Sequence, residues 1–322
     1  MTGGGQSPEG NLSYTDFVLL GFPGLQQFHF LLFVPFFCLY LVNVGANCMV
    51  IYTIWVEESL HCPMYLLILL LCVVGLCSTS TVLPQMLLGF LGHASRVSLP
   101  GCLAQMFFIY LVTNLDSSVL LMMAVDRYIA ICKPLRYEDI MSKHLLVGMI
   151  LTALIRGISM ACFMVILASR LPFCRSNIIQ YFACEHMALV SLACGSVSHN
   201  SVLGMGVGFG IIIFDGIGIL ASYTSIVHTA LQITSGSLRC KAVHTCSTQL
   251  LVMFFIYLSF LSSSIMYRAD HLISQDMHNL LSTIYLLLPS TLNPIIYGVR
   301  TKEIKQHILR AFRRWQVKAA KP

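Results

Sequence analysis

Long apolar runs alternate with short polar joints along nearly the whole chain, and the runs are too long for strands. A membrane-crossing helix needs roughly 20 mostly apolar residues. The joints leave seven such runs, near residues 28–55, 63–91, 99–132, 145–171, 200–233, 241–266 and 277–298. In hydrocarbon no water satisfies the backbone N–H and C=O groups, so each run must be a helix or part of a closed barrel. The pattern predicts an all-α membrane protein, a seven-transmembrane helix bundle. Beyond the last run, Ile304, Ile308, Phe312 and Trp315 recur at helical spacing among Lys302, Lys305, Arg310, Arg313 and Arg314. That spacing predicts a C-terminal amphipathic helix on the inner membrane surface. Three regions follow: a polar N-terminal tail (1–27), the bundle (28–298), and the amphipathic helix with a short tail (299–322).

Composition agrees. Of 322 residues, 57% are hydrophobic and 10% charged, where a soluble chain carries about 25% charged residues. Lys133, Arg136, Lys143, Arg239, Lys241 and eight more between Arg300 and Lys321 fall on one side of the spans; Arg96, Arg170, Arg175 and Arg268 fall on the other. Cytoplasmic loops hold the basic excess, so the C-terminus is expected inside and the N-terminus outside. The net charge of +6 then reads as attraction to the lipid bilayer's inner leaflet rather than to nucleic acid. Residues 1–27 lack the basic and apolar regions of a signal peptide, so the first span is expected to act as an uncleaved anchor. Asn11-Leu12-Ser13 is a glycosylation sequon on the side read as extracellular.

Polar groups inside apolar spans are expensive and mark function by default. Asn47 in span 1 needs a partner on another helix. Asp116 in span 3 and Asp215 in span 5 are acids at membrane depth, with no basic partner for Asp215 evident in the sequence. Arg156 is the one cation inside a span, expected to snorkel or to pair. Asp126-Arg127-Tyr128 closes span 3, either as an interfacial anchor or as a switch in which the acid holds the arginine until a partner takes it. Pro294 breaks the hydrogen bonding of span 7, and Asn293 beside it is expected to satisfy the freed groups. Arg268 lies at the mouth of span 6, either anchored at the interface with Asp270 or Glu185, or a counterion for an anionic ligand. Four of the 13 cysteines face outside: Cys102, Cys174, Cys184 and Cys194. They allow three disulfide connectivities; an extracellular setting favours disulfides over a zinc site with Glu185 and His186. No nucleophile–base set or phosphate-cradling loop appears, so the sequence reads as neither an enzyme nor a cofactor protein.

Several of these motifs, taken together, resemble the rhodopsin-like G-protein-coupled receptors: seven spans, Asp126-Arg127-Tyr128, Asn293-Pro294-Ile295-Ile296-Tyr297 and the trailing helix. Leu60-His61-Cys62-Pro63-Met64-Tyr65, Met123-Ala124-Val125-Asp126-Arg127-Tyr128-Ile129-Ala130-Ile131-Cys132, Ser222-Tyr223 and Lys241-Ala242-Val243-His244-Thr245-Cys246 resemble odorant receptors in particular. Phe17-Val18-Leu19-Leu20-Gly21-Phe22-Pro23-Gly24-Leu25 and Thr301-Lys302-Glu303-Ile304 resemble their class I, fish-like branch. The resemblance implies a multi-pass plasma-membrane receptor for a small-molecule odorant. It implies coupling to a heterotrimeric G protein of the stimulatory, olfactory type, which raises cyclic AMP, and delivery to the surface with a chaperone. It pairs Cys102 with Cys184 and Cys174 with Cys194. It makes Asp126, Arg127, Tyr128, Tyr223, Asn293, Pro294 and Tyr297 the activation switch. It places the ligand among Tyr110, Thr113 and Asn114 on span 3, His186 in the second extracellular loop, Gly204 and Gly208 on span 5, and Tyr257, Phe260, Ser264 and Arg268 on span 6.

Departures from the family pattern matter. Gly75 stands where such receptors usually carry an Asp, which puts in question the sodium-linked ion pocket of Asn47, Asp116 and Asn293. Gln249 stands for a common His, and Ala46 for a Gly. Span 7 has no lysine for a retinal Schiff base, and the outer half of span 3 has no acid for an amine ligand. The expected ligand is a small organic molecule with a polar head, such as a carboxylic acid held by Arg268, its tail against Phe260, Met164 and Ile212. A same-fold receptor for a metabolite, lipid or steroid outside the nose is the alternative reading, and a transporter or channel the remote one.

Overall fold

The computed structural model describes residues 13–92, 95–195, 197–232, positions 247, 250, 251, 253, 254, 257 and 258, residues 274–301, and 303–310. Six helices among the described residues are long and apolar enough to cross a membrane. Span 1 is His29–Val56, span 2 Pro63–Phe90, span 3 Leu99–Cys132, span 4 Lys143–Ser169, span 5 Ser198–Gln232 and span 7 Gln275–Arg300. Of the run predicted at 241–266 only isolated positions are described, and they are helical. Residues 303–310 form a further helix after Thr301. With the predicted sixth span, this is the seven-helix bundle of the sequence reading, mostly helical and built for a membrane.

Local chemistry sets the helix starts. Pro63 and Pro100 stand in first turns, where the missing N–H costs nothing. Ser98, Ser142 and Ser274 cap spans 3, 4 and 7, their hydroxyls accepting from the N–H groups of Gly101, Leu145 and Met277. The bundle carries large apolar side chains outward: Phe30, Trp55, Ile155, Phe214 and Ile217 are all well exposed. In water these would be a liability; here they are the surface that meets lipid.

The region expected as a polar tail is partly structured. Strand β1 (Asp16–Leu19) lies between β2 (Ser95–Ser98), antiparallel, and β3 (Ile178–Ile179), parallel. The alternation of Asp16-Phe17-Val18-Leu19 drives Phe17 fully inside, edge-on to Phe173 with ring centroids 5.5 Å apart. A 3-10 turn, Pro23–Phe28, follows, and Gly21 in left-handed geometry (φ 68°) makes the bend into it. Asp276 on span 7 accepts from the Gly24 N–H at 3.1 Å, and Asn279 donates to the carbonyls of Gly21 and Gln180. The sheet therefore covers the end of the bundle that carries β2 and the long loop between spans 4 and 5. Sequence alternation over four residues was too short to stand out beside the 20-residue runs.

Candidate functional site

Disulfides organise the covered end. Cys102, at the start of span 3, is bonded to Cys184, with Cα atoms 5.3 Å apart; Cys174 is bonded to Cys194 at 5.5 Å. The first bridge ties the long loop onto span 3. Gln105 reinforces it: its Oε1 accepts from the Cys184 N–H at 2.9 Å, while its Nε2 donates to Gln85 and the Thr81 carbonyl on span 2. Held this way, the loop turns into a short helix, His186–Val190, whose residues His186, Ala188, Leu189 and Val190 are buried. A loop segment buried this far is packed into the bundle rather than a surface excursion.

His186 meets spans 4 and 5 there. A Cβ placed on Gly204 would lie 3.0 Å from His186 Cε1, 3.2 Å from Nδ1 and 3.6 Å from Met164 Sδ. Gly204 is therefore a fitted gap: any side chain would displace the imidazole. Asn200, one turn earlier, donates to the Leu167 carbonyl at 2.9 Å and faces His186. Burial pushes the His186 imidazole pKa down, with the Asn200 side chain opposing this in part. The ring is thus held neutral, with one donor and one acceptor nitrogen.

The other expected ligand residues are placed unevenly. Tyr110 is half-buried against the core around the Cys102–Cys184 bridge. Thr113 and Asn114 spend their donors on the Ile109 and Tyr110 carbonyls of their own helix. Asn114 leans towards span 4, where a Cβ on Gly157 would meet its Cβ at 3.7 Å. Gly208 and Ile212 are half-buried on span 5, and Tyr257 is half-buried beside Ser117. Phe260, Ser264 and Arg268, like Asn11 and the Lys241–Cys246 motif, lie outside the described residues. The structure brings together Met164, His186 and Gly204.

Below this cluster lies a polar group the sequence reading did not assemble. Arg156 Nη1 donates to Asp215 Oδ1 at 2.6 Å and Nη2 to Oδ2 at 2.8 Å, a two-pronged ion pair between spans 4 and 5. Ser118 accepts from Arg156 at 2.6 Å, and Ser117 donates to Asp215 at 2.5 Å. Asp215 is wholly buried, Arg156 three-quarters so. Arg156 does not snorkel; it pairs, and Asp215 has its cation. Depth was the readable signal: each residue stands at the midpoint of its own helix.

Spans 1, 2 and 7 share a second polar ladder. Pro294 has no N–H for the Ser290 carbonyl one turn back; Asn47 Nδ2 donates to that carbonyl instead, at 3.1 Å. The freed group is satisfied by Asn47, not by the adjacent Asn293. Asn43, which the sequence reading passed over, donates to Thr291 and accepts from both Thr79 and Asn47. A Cβ on Gly75 would point at Ser290 and the Asn47 Oδ1, 3.4 and 3.5 Å away. An Asp there would have put its carboxylate on this ladder. Asp116 and Asn293 are buried in the same bundle, each with one oxygen that meets no hydrogen-bond partner among the described residues.

At the opposite end Asp126 is almost fully buried and Arg127 largely so. Their contact is single and long, Arg127 Nε to Asp126 Oδ2 at 3.9 Å. The close partner of Asp126 is Tyr137, whose hydroxyl donates to Oδ1 at 2.7 Å from the turn after span 3. Burial and that hydrogen bond push the Tyr137 pKa well above the ordinary tyrosine range. The acid is thus shared, and the adjacent-pair lock of the sequence reading is only half of the arrangement. Lys133 sits 5.9 Å over the Tyr128 ring, and Tyr223 and Tyr297 are buried in the core that spans 1 to 5 and span 7 share. His307 Nδ1 lies 3.0 Å from Glu57, tying the last helix to the end of span 1.

Known proteins match the chain over nearly its whole length. The olfactory receptor family model covers residues 36–314. Human olfactory receptor 52K1 is 37% identical over 298 residues, 92% of this chain and 95% of that protein. Human olfactory receptor 52R1 is 39% identical over 297 residues, 91% of this chain and 93% of the other. Mouse olfactory receptor 51E2 is 35% identical over 303 residues, 94% and 95% respectively.

Proposed function

Because this chain belongs to the olfactory receptor family, rhodopsin-like G-protein-coupled receptors of the plasma membrane that take odorants and G proteins as partners, we propose a specific ligand class and signal. The ligand is a small aliphatic molecule with a polar head, such as a carboxylic acid. It binds beneath the second loop with its tail against Met164 and Ile212 and its head towards span 6, where Arg268 is the proposed anchor. The receptor then engages a stimulatory, olfactory-type G protein on the side that carries Arg127, and cyclic AMP rises. The N-terminus is extracellular and a chaperone assists delivery to the surface.

One observation carries the reading. Met164, His186 and Gly204, from three separate segments, meet where the disulfide-tethered loop enters the bundle, and the glycine makes room for the imidazole. A neutral imidazole supplies a donor or an acceptor to a polar ligand without bringing a charge into an apolar cavity. Tail burial contributes about 0.8 kcal/mol per methylene, so potency should rise with chain length until the cavity is full.

The test is cyclic AMP in cells expressing the chain with the olfactory G protein, challenged with homologous series of acids, alcohols, aldehydes and steroids. Arg127→Ala and Arg268→Ala are run beside the unaltered receptor, with surface levels measured throughout. Acid responses lost in both variants support the switch and the anchor. Inactive acids beside active alcohols or steroids overturn the carboxylate, and silence of a surface-expressed receptor to all of them overturns the ligand class.

A further inference from the structure

Spans 4 and 5 do not close against each other on the membrane side. Between them lies a crevice of about 390 Å³, within the range of small-molecule sites. Met160 and Ser159 line one wall, Val207, Ile211 and Phe214 the other, and Arg156 the deep end. Gly210 also lines it, and a Cβ there would meet no atom within 4 Å. Ile155, Ile158, Ile213 and Ile217 flank the crevice as exposed apolar residues, so it opens to hydrocarbon and not to water.

Its deep end is polar in a particular way. Arg156 stands thirteen residues from each end of its helix, which is ~20 Å from either end at 1.5 Å per residue. Three of its hydrogen bonds go to Asp215 and Ser118. A guanidinium has five N–H donors, so among the described residues two are left over: Nε, which is itself buried, and the second N–H of Nη1. A quarter of the side chain stays exposed at a depth where no water is available to satisfy it. Since Asp215 already balances the charge, an anion gains little there, and a neutral acceptor fits the Nη1 donor of the two left over.

We propose that this crevice is a second ligand site, taking an amphiphile dissolved in the bilayer: an acyl chain between Met160 and Phe214, and a neutral acceptor head, such as an ester carbonyl, at Arg156. The site is separate from the odorant position proposed under the second loop and is reached through the lipid. Occupancy fills the gap between two helices that the Arg156–Asp215 pair otherwise joins at its inner edge.

The experiment uses the full-length receptor in phosphatidylcholine nanodiscs and a monoacylglycerol bearing a diazirine on its chain. After illumination, labelled peptides are mapped by mass spectrometry. Label is expected on residues 156–160 and 207–214, competed by excess unlabelled monoacylglycerol. Gly210→Trp, which fills open space, should cut it roughly tenfold, the loss of about two methylenes' worth of contact. Gly216→Trp on the same helix, also with open space around its Cβ, should not; Gly210→Leu provides a milder filling. A hydrocarbon carrying the same diazirine but no head should label the crevice roughly tenfold less, as expected for one lost hydrogen bond in a dry site. Label spread evenly over lipid-facing helices, insensitive to competitor, would mean annular lipid only and overturn the site. Equal labelling by the headless probe would overturn the role of Arg156. The readout needs no odorant, so it fails or succeeds apart from the odorant reading.

Discussion

Asp215→Asn removes the carboxylate that holds Arg156 and leaves a guanidinium mostly buried between helices. Asp215 is wholly buried and accepts at 2.6 and 2.8 Å from Arg156 and at 2.5 Å from Ser117. Deleting one partner of such a pair strands the other charge, with a cost of about 3–5 kcal/mol. Replacing both by apolar residues of similar volume, Arg156→Met with Asp215→Leu, is expected to lie within about 1 kcal/mol of the starting protein, because neither charge then needs compensation. The assay is thermal inactivation of purified receptor in nanodiscs, with surface level by flow cytometry as a cellular check. Asp215→Asn should lose most of its surface population, and the double replacement should recover it. A loss below about 1 kcal/mol for Asp215→Asn would match an ordinary hydrogen bond between membrane helices and refute the ion pair. So would a double replacement no better than the single one.

Gly204→Leu forces a side chain against the His186 ring; overpacking of about 1–3 kcal/mol should lower odorant potency roughly tenfold or more at unchanged surface level, and unchanged potency would place the ligand elsewhere. His186, held neutral by burial, binds fewer protons folded than unfolded below its ordinary value of 6.5, so stability should be level above that pH and fall as pH drops through it. Melting at pH 5.0 and 7.5 checks this, and His186→Gln should lessen the acid loss. Tyr137→Phe leaves Asp126 to Arg127 alone; the tighter pair should lower basal cyclic AMP and raise the agonist concentration needed about fivefold, a ~1 kcal/mol effect. Raised basal signalling would refute that account.

The long apolar runs determined the architecture by themselves, because lipid requires each backbone polar group to be satisfied within the protein and runs of this length are too long for strands. Single residues that broke the apolar pattern were equally legible as sites: Asn47, Asp116, Arg156, Asp215 and Pro294 each stood out. What none of them disclosed was its partner. Which carbonyl Asn47 would reach depended on Pro294 vacating Ser290 on a helix 243 residues away. The meeting of Arg156 and Asp215 depended on spans 4 and 5 being neighbours, and the sharing of Asp126 with Tyr137 on how the chain turned after Pro134. Gly204 shows the limit most clearly, since a glycine has no pattern to read, and its importance lies wholly in the imidazole that a loop 18 residues earlier lays against it. Helix formation is local and its signal runs along the chain; partnership is a property of which faces meet, and only the packed bundle decides that.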